Sequence, residues 1–182
     1  TDEMNYLMLS VGRRSELLKD FKLSMEPGSK LIATDISPYA PALYMADKQY
    51  LVPRIDDPGY IDVILDICEK EAIDAVTTFI DPEIEILAKN RSKFEALGIE
   101  VLAPYEETAH LCFDKYLMFK YLSDHGIATV MTWDTLEEFD KAFVDNKVRF
   151  PVFVKPRTGS GSVGARKISD YEILKEAVRE DS

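Results

Sequence analysis

The chain has 182 residues, 46% of them hydrophobic and including nine Phe and nine Tyr, enough to bury a substantial core and to form one domain plus part of another. A charged fraction of 30% and a formal net charge of −11 favour solubility and disfavour nucleic acid or anionic membrane as a partner, which leaves small molecules. No apolar run reaches the roughly 18 residues that span a bilayer, and Cys68 and Cys112 have neither disulfide density nor zinc-site spacing, so both are expected to be buried, reduced thiols in a cytoplasmic protein.

The acidic start Thr1-Asp2-Glu3 is unlike the basic end of a signal peptide, and Met4 is a candidate natural start. From Asn5 to Val11 a short apolar run reads as a strand buried on both faces, followed by helical spacing from Ser15 to Met25. Lys30 to Ile36 repeats the strand signal. A short helix at 41–46, a strand at 49–52 and a helix at 58–71 come next, then the strand Ala75 to Ile80. Pro82 opens a helix whose apolar face carries Ile84, Leu87 and Phe94 and which Gly98 ends, before a strand at 99–102. This alternation predicts an α/β fold, a doubly wound and mostly parallel sheet over residues 1–103.

Around Ala103-Pro104 the rhythm changes, and a second domain is expected over 104–182. It begins with two successive helices, 106–113 and 114–125, stopped by Gly126. A strand at 128–132, a helix at 136–146, a strand at 151–155, a glycine-serine loop, a strand at 165–168 and a helix from Asp170 follow. The sequence stops inside that helix, so this α+β part is expected to be incomplete.

The stretch from Phe150 to Ile168 carries the strongest chemical signal: a strand ending in Lys155, then a loop of Gly159, Ser160, Gly161, Ser162, Val163 and Gly164. Glycines permit positive φ and close approach, so successive amides and serine hydroxyls can converge on phosphate oxygens, with Lys155 adding charge. The alternative is an ordinary mobile hairpin tip. It is not a Walker P-loop, since Ala165-Arg166 stands where Lys-Ser/Thr is needed. In a second segment, Asp114 caps a helix and Lys115 sits in its first turn, where the helix dipole disfavours a cation. That placement suits an anionic partner, while a solvated surface lysine is the plain alternative.

Together these segments resemble the ATP-grasp family, in which a helix opening with Asp-Lys precedes a strand ending in Lys and a glycine-rich flap. The likeness covers residues 104–168, and the preceding alternation resembles the Rossmann-like pre-ATP-grasp domain. The resemblance implies that Lys115 and Lys155 contact ATP and that the loop Gly159 to Gly164 closes over its triphosphate. The SGSVG stretch is similar to the flap of D-alanine–D-alanine ligases. Over its whole length the sequence resembles bacterial proteins similar to carbamoyl phosphate synthase large subunit, through SVGRR (10–14), ATDISPYAPALYMAD (33–47) and IDPEIEIL (80–87).

The implied reaction uses ATP to convert a carboxylate into an acyl phosphate that an amine or other nucleophile attacks, with magnesium bridging the phosphates. In that family the magnesium ligands and adenine-binding residues follow the flap. They are therefore expected beyond residue 182, no metal ligand or catalytic residue is named here, and residues 1–182 are not expected to act alone. A homodimer is compatible with this reading.

In an open parallel sheet, ligands bind beyond the carboxyl ends of the strands. Arg13, Asp81 and Glu83 stand there and are the candidate substrate contacts, Arg13 forking onto a carboxylate or phosphate and the acids orienting an amine or hydroxyl. The competing reading pairs Arg13 or Arg14 with Asp81 or Glu83 in a structural ion pair. Asp35 suits a ribose-binding acid, but SVGRRS lacks G-x-G-x-x-G, leaving a nicotinamide-dependent oxidoreductase as a minor alternative. A ligand-sensing or interaction module on the same fold is the other. His110 and His125 suit surface or capping roles, and Trp133 a packing role.

Overall fold

The computed structural model describes residues 3–180, and Thr1, Asp2, Asp181 and Ser182 lie outside the described residues, as does the terminal part of the acidic start. The chain forms two compact units, Thr1–Ala109 and His110–Ser182. The first holds a five-stranded sheet made of β1 (Asn5–Leu9), β2 (Lys30–Asp35), β3 (Lys48–Leu51), β4 (Ala75–Thr78) and β5 (Glu100–Val101). Its order is β3-β2-β1-β4-β5 and every pairing is parallel.

Alternation along the central strands explains why both faces are covered. Leu7, Leu9, Ile32 and Val76 point to one side, where α2 (Tyr60–Lys70) brings Tyr60, Ile64 and Cys68, α3 (Asp81–Lys89) brings Leu87 and α4 (Arg91–Glu95) brings Phe94. Met8, Leu31 and Ala33 point to the other, against Leu18 of α1 (Ser15–Ser24) and Ala42 and Leu43 of a 3-10 helix over Pro41–Met45. The doubly wound expectation therefore holds. Buried apolar area of this kind is the main favourable term in folding.

The sequence differs from its reading in three places here. The first strand stops at Leu9 because Ser10 and Gly12 adopt positive φ and turn the chain. The helix expected from Pro82 to Gly98 is broken at Asn90, whose side chain folds back onto the Ile86 carbonyl at 2.9 Å and competes with helix continuation. The break leaves Arg91 free to reach sideways: its Nη1 donates to the Val101 carbonyl at 3.0 Å, its Nη2 to those of Ala103 and Pro104, and its guanidinium lies 4.4 Å from the Tyr105 ring centre. This clamp, with the Ala109 amide bonded to the Tyr105 carbonyl, holds 101–109 to the first unit, so the unit boundary falls inside α5 (Glu106–Phe113) rather than at 103/104.

The second unit contains α6 (Lys115–Asp124), α7 (Leu136–Val144), the antiparallel pair β6 (Val152–Val154) and β7 (Arg166–Ile168), and α8 (Tyr171–Glu180). Phe139, Ile168, Leu174 and Ala177 form its small core, with Trp133 edge-on to Phe139 at 5.4 Å as a packing residue. The expected strand at 128–132 is not formed. β6 and β7 pair only with each other among the described residues, and Ile127, Val130 and Met131 stay exposed, so that stretch has no ladder to join.

Replacing Arg91 with Ala is expected to cost about 2 kcal/mol, because three carbonyls at the end of the sheet lose a charged donor. Urea unfolding followed by far-ultraviolet circular dichroism measures it, and an unchanged midpoint would show that solvent replaces the clamp.

Candidate functional site

In the first unit the carboxyl ends of β1, β2 and β4 are braced by polar contacts. β1 pairs with β2 on one side and β4 on the other, so the connections leaving β1 and β4 go to opposite faces and part between them. Asp35 receives the Gly12 amide at 2.8 Å and the Ser37 amide at 3.0 Å, which ties the turn after β1 to that after β2. Both its oxygens thus serve its own backbone, unlike an acid held open for a ribose. The Ala42 amide bonds the Gly12 carbonyl at 3.1 Å and strengthens the brace.

Arg14 crosses the gap, donating to the Phe79 carbonyl at 3.1 Å and, more loosely, to that of Ser10 at 3.4 Å. Neither arginine makes an ion pair with Asp81 or Glu83 among the described residues. Arg13 and Asp81 are exposed at the mouth of this region, Arg13 after β1 and Asp81 at the start of α3. Glu83, expected beside them, is instead fully buried, and its two carboxylate oxygens accept the hydroxyls of Tyr60 and Thr78. The helix start turns Glu83 inward toward these donors, so it stands behind the mouth and braces it. Burial first, then the neighbouring Glu83 charge, pushes the Tyr60 phenol far above its ordinary value, so it remains a donor.

In the second unit the sequence-predicted nucleotide residues are brought around one loop. Lys155 follows the last residue of β6 and is exposed. The loop then runs through Gly159, Gly161, Ser162 and Gly164, all at positive φ, and Ser160 to Gly164 are exposed. Gly164 is required for a second reason: a Cβ there would lie 2.9 Å from Pro156 Cγ, so the two ends of the loop touch. Lys115, from the first turn of α6, extends to the loop and donates to the Gly159 carbonyl at 3.0 Å. Motifs forty residues apart in sequence therefore share one place, where Lys155 and the loop backbone are exposed and Asp134, also exposed, pairs with Arg157.

Asp114 organises the helix end of this place. Its Oδ1 caps α6 by accepting the Tyr116 and Leu117 amides at 3.0 and 2.9 Å, while Oδ2 accepts Nε of Arg157 at 2.6 Å. Arg157 also donates to Asp134 at 2.9 Å. The sequence reading assigned Arg157 nothing. Its signal was its position midway between Lys155 and the loop's first glycine, Gly159.

Cys68 is buried as expected, its thiol pushed up to about 12 by burial. Cys112 is exposed instead, since Ala109 is the buried residue of α5, Leu111 and Phe113 are half-buried, and Cys112 lies on the side left open. His125 caps the end of α6 by hydrogen bonding to the Tyr121 carbonyl at 2.8 Å. No group of three His, Cys, Asp or Glu suited to a metal ion occurs among the described residues, and no helix among them is long and apolar enough to cross a membrane.

A profile of the PylC-like N-terminal domain matches residues 6–102, the braced parallel sheet. The chain belongs to this family. The matched domain is of the pre-ATP-grasp kind, and the curated relatives include ATP-grasp ligases. It is 33% identical over 152 residues to the formate-dependent phosphoribosylglycinamide formyltransferase of Solidesulfovibrio magneticus, covering 80% of this chain and 36% of that protein. It is 31% identical over 124 residues to a D-alanine–D-alanine ligase of Clostridium botulinum, covering 66% of this chain and 41% of that one. The chain thus spans about two-fifths of the length of these relatives.

Among solved structures, the L-amino acid ligase of Bacillus licheniformis superposes with a TM-score of 0.71 at 20% identity, over 99% of this chain and 42% of that one. N5-carboxyaminoimidazole synthetase of Staphylococcus aureus, complexed with ADP, gives 0.71 at 18% identity over 98% of this chain and 45% of that one. Both likenesses are of fold.

The Asp114 carboxyl yields a pH dependence. Burial alone would raise its pKa, but the Leu117 amide, the Arg157 guanidinium and the Tyr116 amide outweigh burial and hold it below the ordinary carboxylate value. The unfolded chain then binds the proton more readily, so the stability contributed is complete at neutral pH and is lost as pH falls below about 4 and through the lowered value. Urea unfolding read by Trp133, the sole tryptophan, is expected to show wild type more stable than Asp114→Asn at pH 7, with the gap closing toward acid. A gap independent of pH would contradict this.

Proposed function

We propose that the intact protein is an ATP-dependent ligase that activates a carboxylate as an acyl phosphate and passes it to an amine or related nucleophile. The observation that carries this reading is the reach of Lys115 to the Gly159 carbonyl, which joins the Asp-Lys helix to the glycine loop beside Lys155. A cationic rim, glycines at positive φ and exposed serines fit a polyphosphate by charge and by amide donors. Lys115, Lys155 and the amides and hydroxyls of Gly159 to Gly164 would hold the phosphates of ATP. When bound, ATP supplies the phosphoryl group that turns a carboxylate into a competent acyl donor.

The donor set fits phosphate and not magnesium, for which the described residues offer no cluster of acids. On this reading residues 1–182 provide only part of the catalytic machinery. The PylC-like domain would bind the carboxylate-bearing substrate at the gap beyond β1 and β4, with the Arg13 guanidinium as the contact for its carboxylate, Asp81 at the rim and Glu83 holding the floor through Tyr60 and Thr78. The segments SVGRR, ATDISPYAPALYMAD and IDPEIEIL line these turns and support kinship with carbamoyl phosphate synthase large subunit-like proteins.

Calorimetric titration of magnesium-ATP into the intact protein is expected to give saturable binding that Lys155→Ala weakens at least about tenfold. NADH serves as the control ligand. Binding of NADH in place of ATP would favour an oxidoreductase, and binding of neither a sensing or interaction module. In steady-state assays of ADP release, Arg13→Ala is expected to raise KM for the carboxylate substrate several-fold while leaving KM for ATP in place. An unchanged substrate KM would remove Arg13 from the site.

A further inference from the structure

Arg157 stands at the foot of the glycine loop and joins it to α6 through both side chain and backbone. Its guanidinium donates from Nε to Asp114 Oδ2 at 2.6 Å and from Nη1 to Asp134 Oδ2 at 2.9 Å, and it lies 5.3 Å from the centre of the Tyr116 ring. Its carbonyl accepts the Lys115 amide at 3.0 Å, with Lys115 Nζ at 3.5 Å. Tyr116 in turn hydrogen-bonds Glu138, so the charged groups facing Arg157 are Asp114, Asp134 and Lys115, with Glu138 behind the ring.

Beyond this point little holds the loop. Short turns, such as the Val163 amide on the Ser160 carbonyl at 3.3 Å and the Ala165 amide on that of Ser162 at 3.1 Å, are its internal bonds, and its glycines carry no side chains to pack. A glycine-rich segment loses much conformational freedom when a ligand orders it, and that loss subtracts from affinity. A planar guanidinium that spans two carboxylates while resting on an aromatic face fixes direction as well as distance, which an ammonium cannot do.

We propose that Arg157 is a positioning residue of the nucleotide site: by clamping the foot of the loop to the capped start of α6, it sets Lys115 and the loop amides in one phosphate-facing frame before the nucleotide arrives. The inference rests on the ATP-binding reading above. Asp114 is the shared partner, since one oxygen orders the helix turn that presents Lys115 and the other holds the arginine. Asp134 is the second tooth of the clamp and supplies its direction.

The test uses the intact protein, with magnesium-ATP affinity by calorimetry and thermal midpoints for wild type, Lys155→Ala, Arg157→Gln, Arg157→Lys and Asp134→Asn. Arg157→Gln is expected to weaken magnesium-ATP about tenfold, a loss larger than any fall in its thermal midpoint accounts for, because Arg157 is itself 42% exposed and the Asp114 carboxylate keeps its two amide donors. Arg157→Lys is expected to recover only part of the loss, and Asp134→Asn to weaken binding several-fold in wild type but add nothing in the Arg157→Gln background. Should Arg157→Gln not fold, Asp134→Asn and Arg157→Lys still decide the matter. Wild-type affinity in these variants beside a weakened Lys155→Ala overturns the clamp and leaves the ATP reading standing. Additive losses that track the thermal midpoint overturn it as well, and no ATP binding by wild type removes both.

Discussion

The first unit depends on the parallel pairing of β1 with β2 on one side and β4 on the other. Parallel neighbours cannot be joined by a tight turn, so each connection must cross a face of the sheet from the carboxyl end back to the end where the strands begin. Every loop leaving a strand's carboxyl end then gathers at one edge. The need to cross both faces explains the two apolar clusters, and the change of crossing direction at β1 and β4 explains why the polar network sits between them. Asp35, Arg14, Tyr60, Thr78 and Glu83 satisfy backbone and side-chain groups that this parting would otherwise leave buried without partners.

Much of this was legible because parallel strands covered on both faces are written as short continuous apolar runs. NYLML, KLIATD and AVTT are such runs, and the helices between them keep helical spacing. Gly98 and Gly126, both at positive φ, mark helix ends where local chemistry decides the outcome. Residue types and order also marked Lys115 and the glycine loop as belonging together, and the bond from Lys115 to the Gly159 carbonyl joins them.

The misread parts depend on partners that local sequence does not name. The 128–132 stretch has the composition of a strand, yet a strand exists only with a neighbour to bond. Asn90 fits a helical face, and only its turn back to Ile86 breaks the helix there. Glu83 sits near Asp81 in sequence, but two residues along a helix are about 200° of rotation, which separates an exposed carboxylate from a buried one. Arg157 and Arg91 received no role from the sequence, and each is defined by carbonyls or carboxylates supplied from elsewhere in its unit.

The contact that Gly164 permits with Pro156 reaches beyond local packing. A loop whose ends already meet has its closure settled at the stem, so changes in the length or composition of its tip carry only a slowly growing entropic cost. The stem fixes Lys155 on one arm and β7 on the other, whereas Ser160 to Val163 have no comparable anchor. Anchoring and variation are thereby separated along a few residues. Such a hairpin can diversify at its tip across descendants without disturbing the strand that carries its lysine.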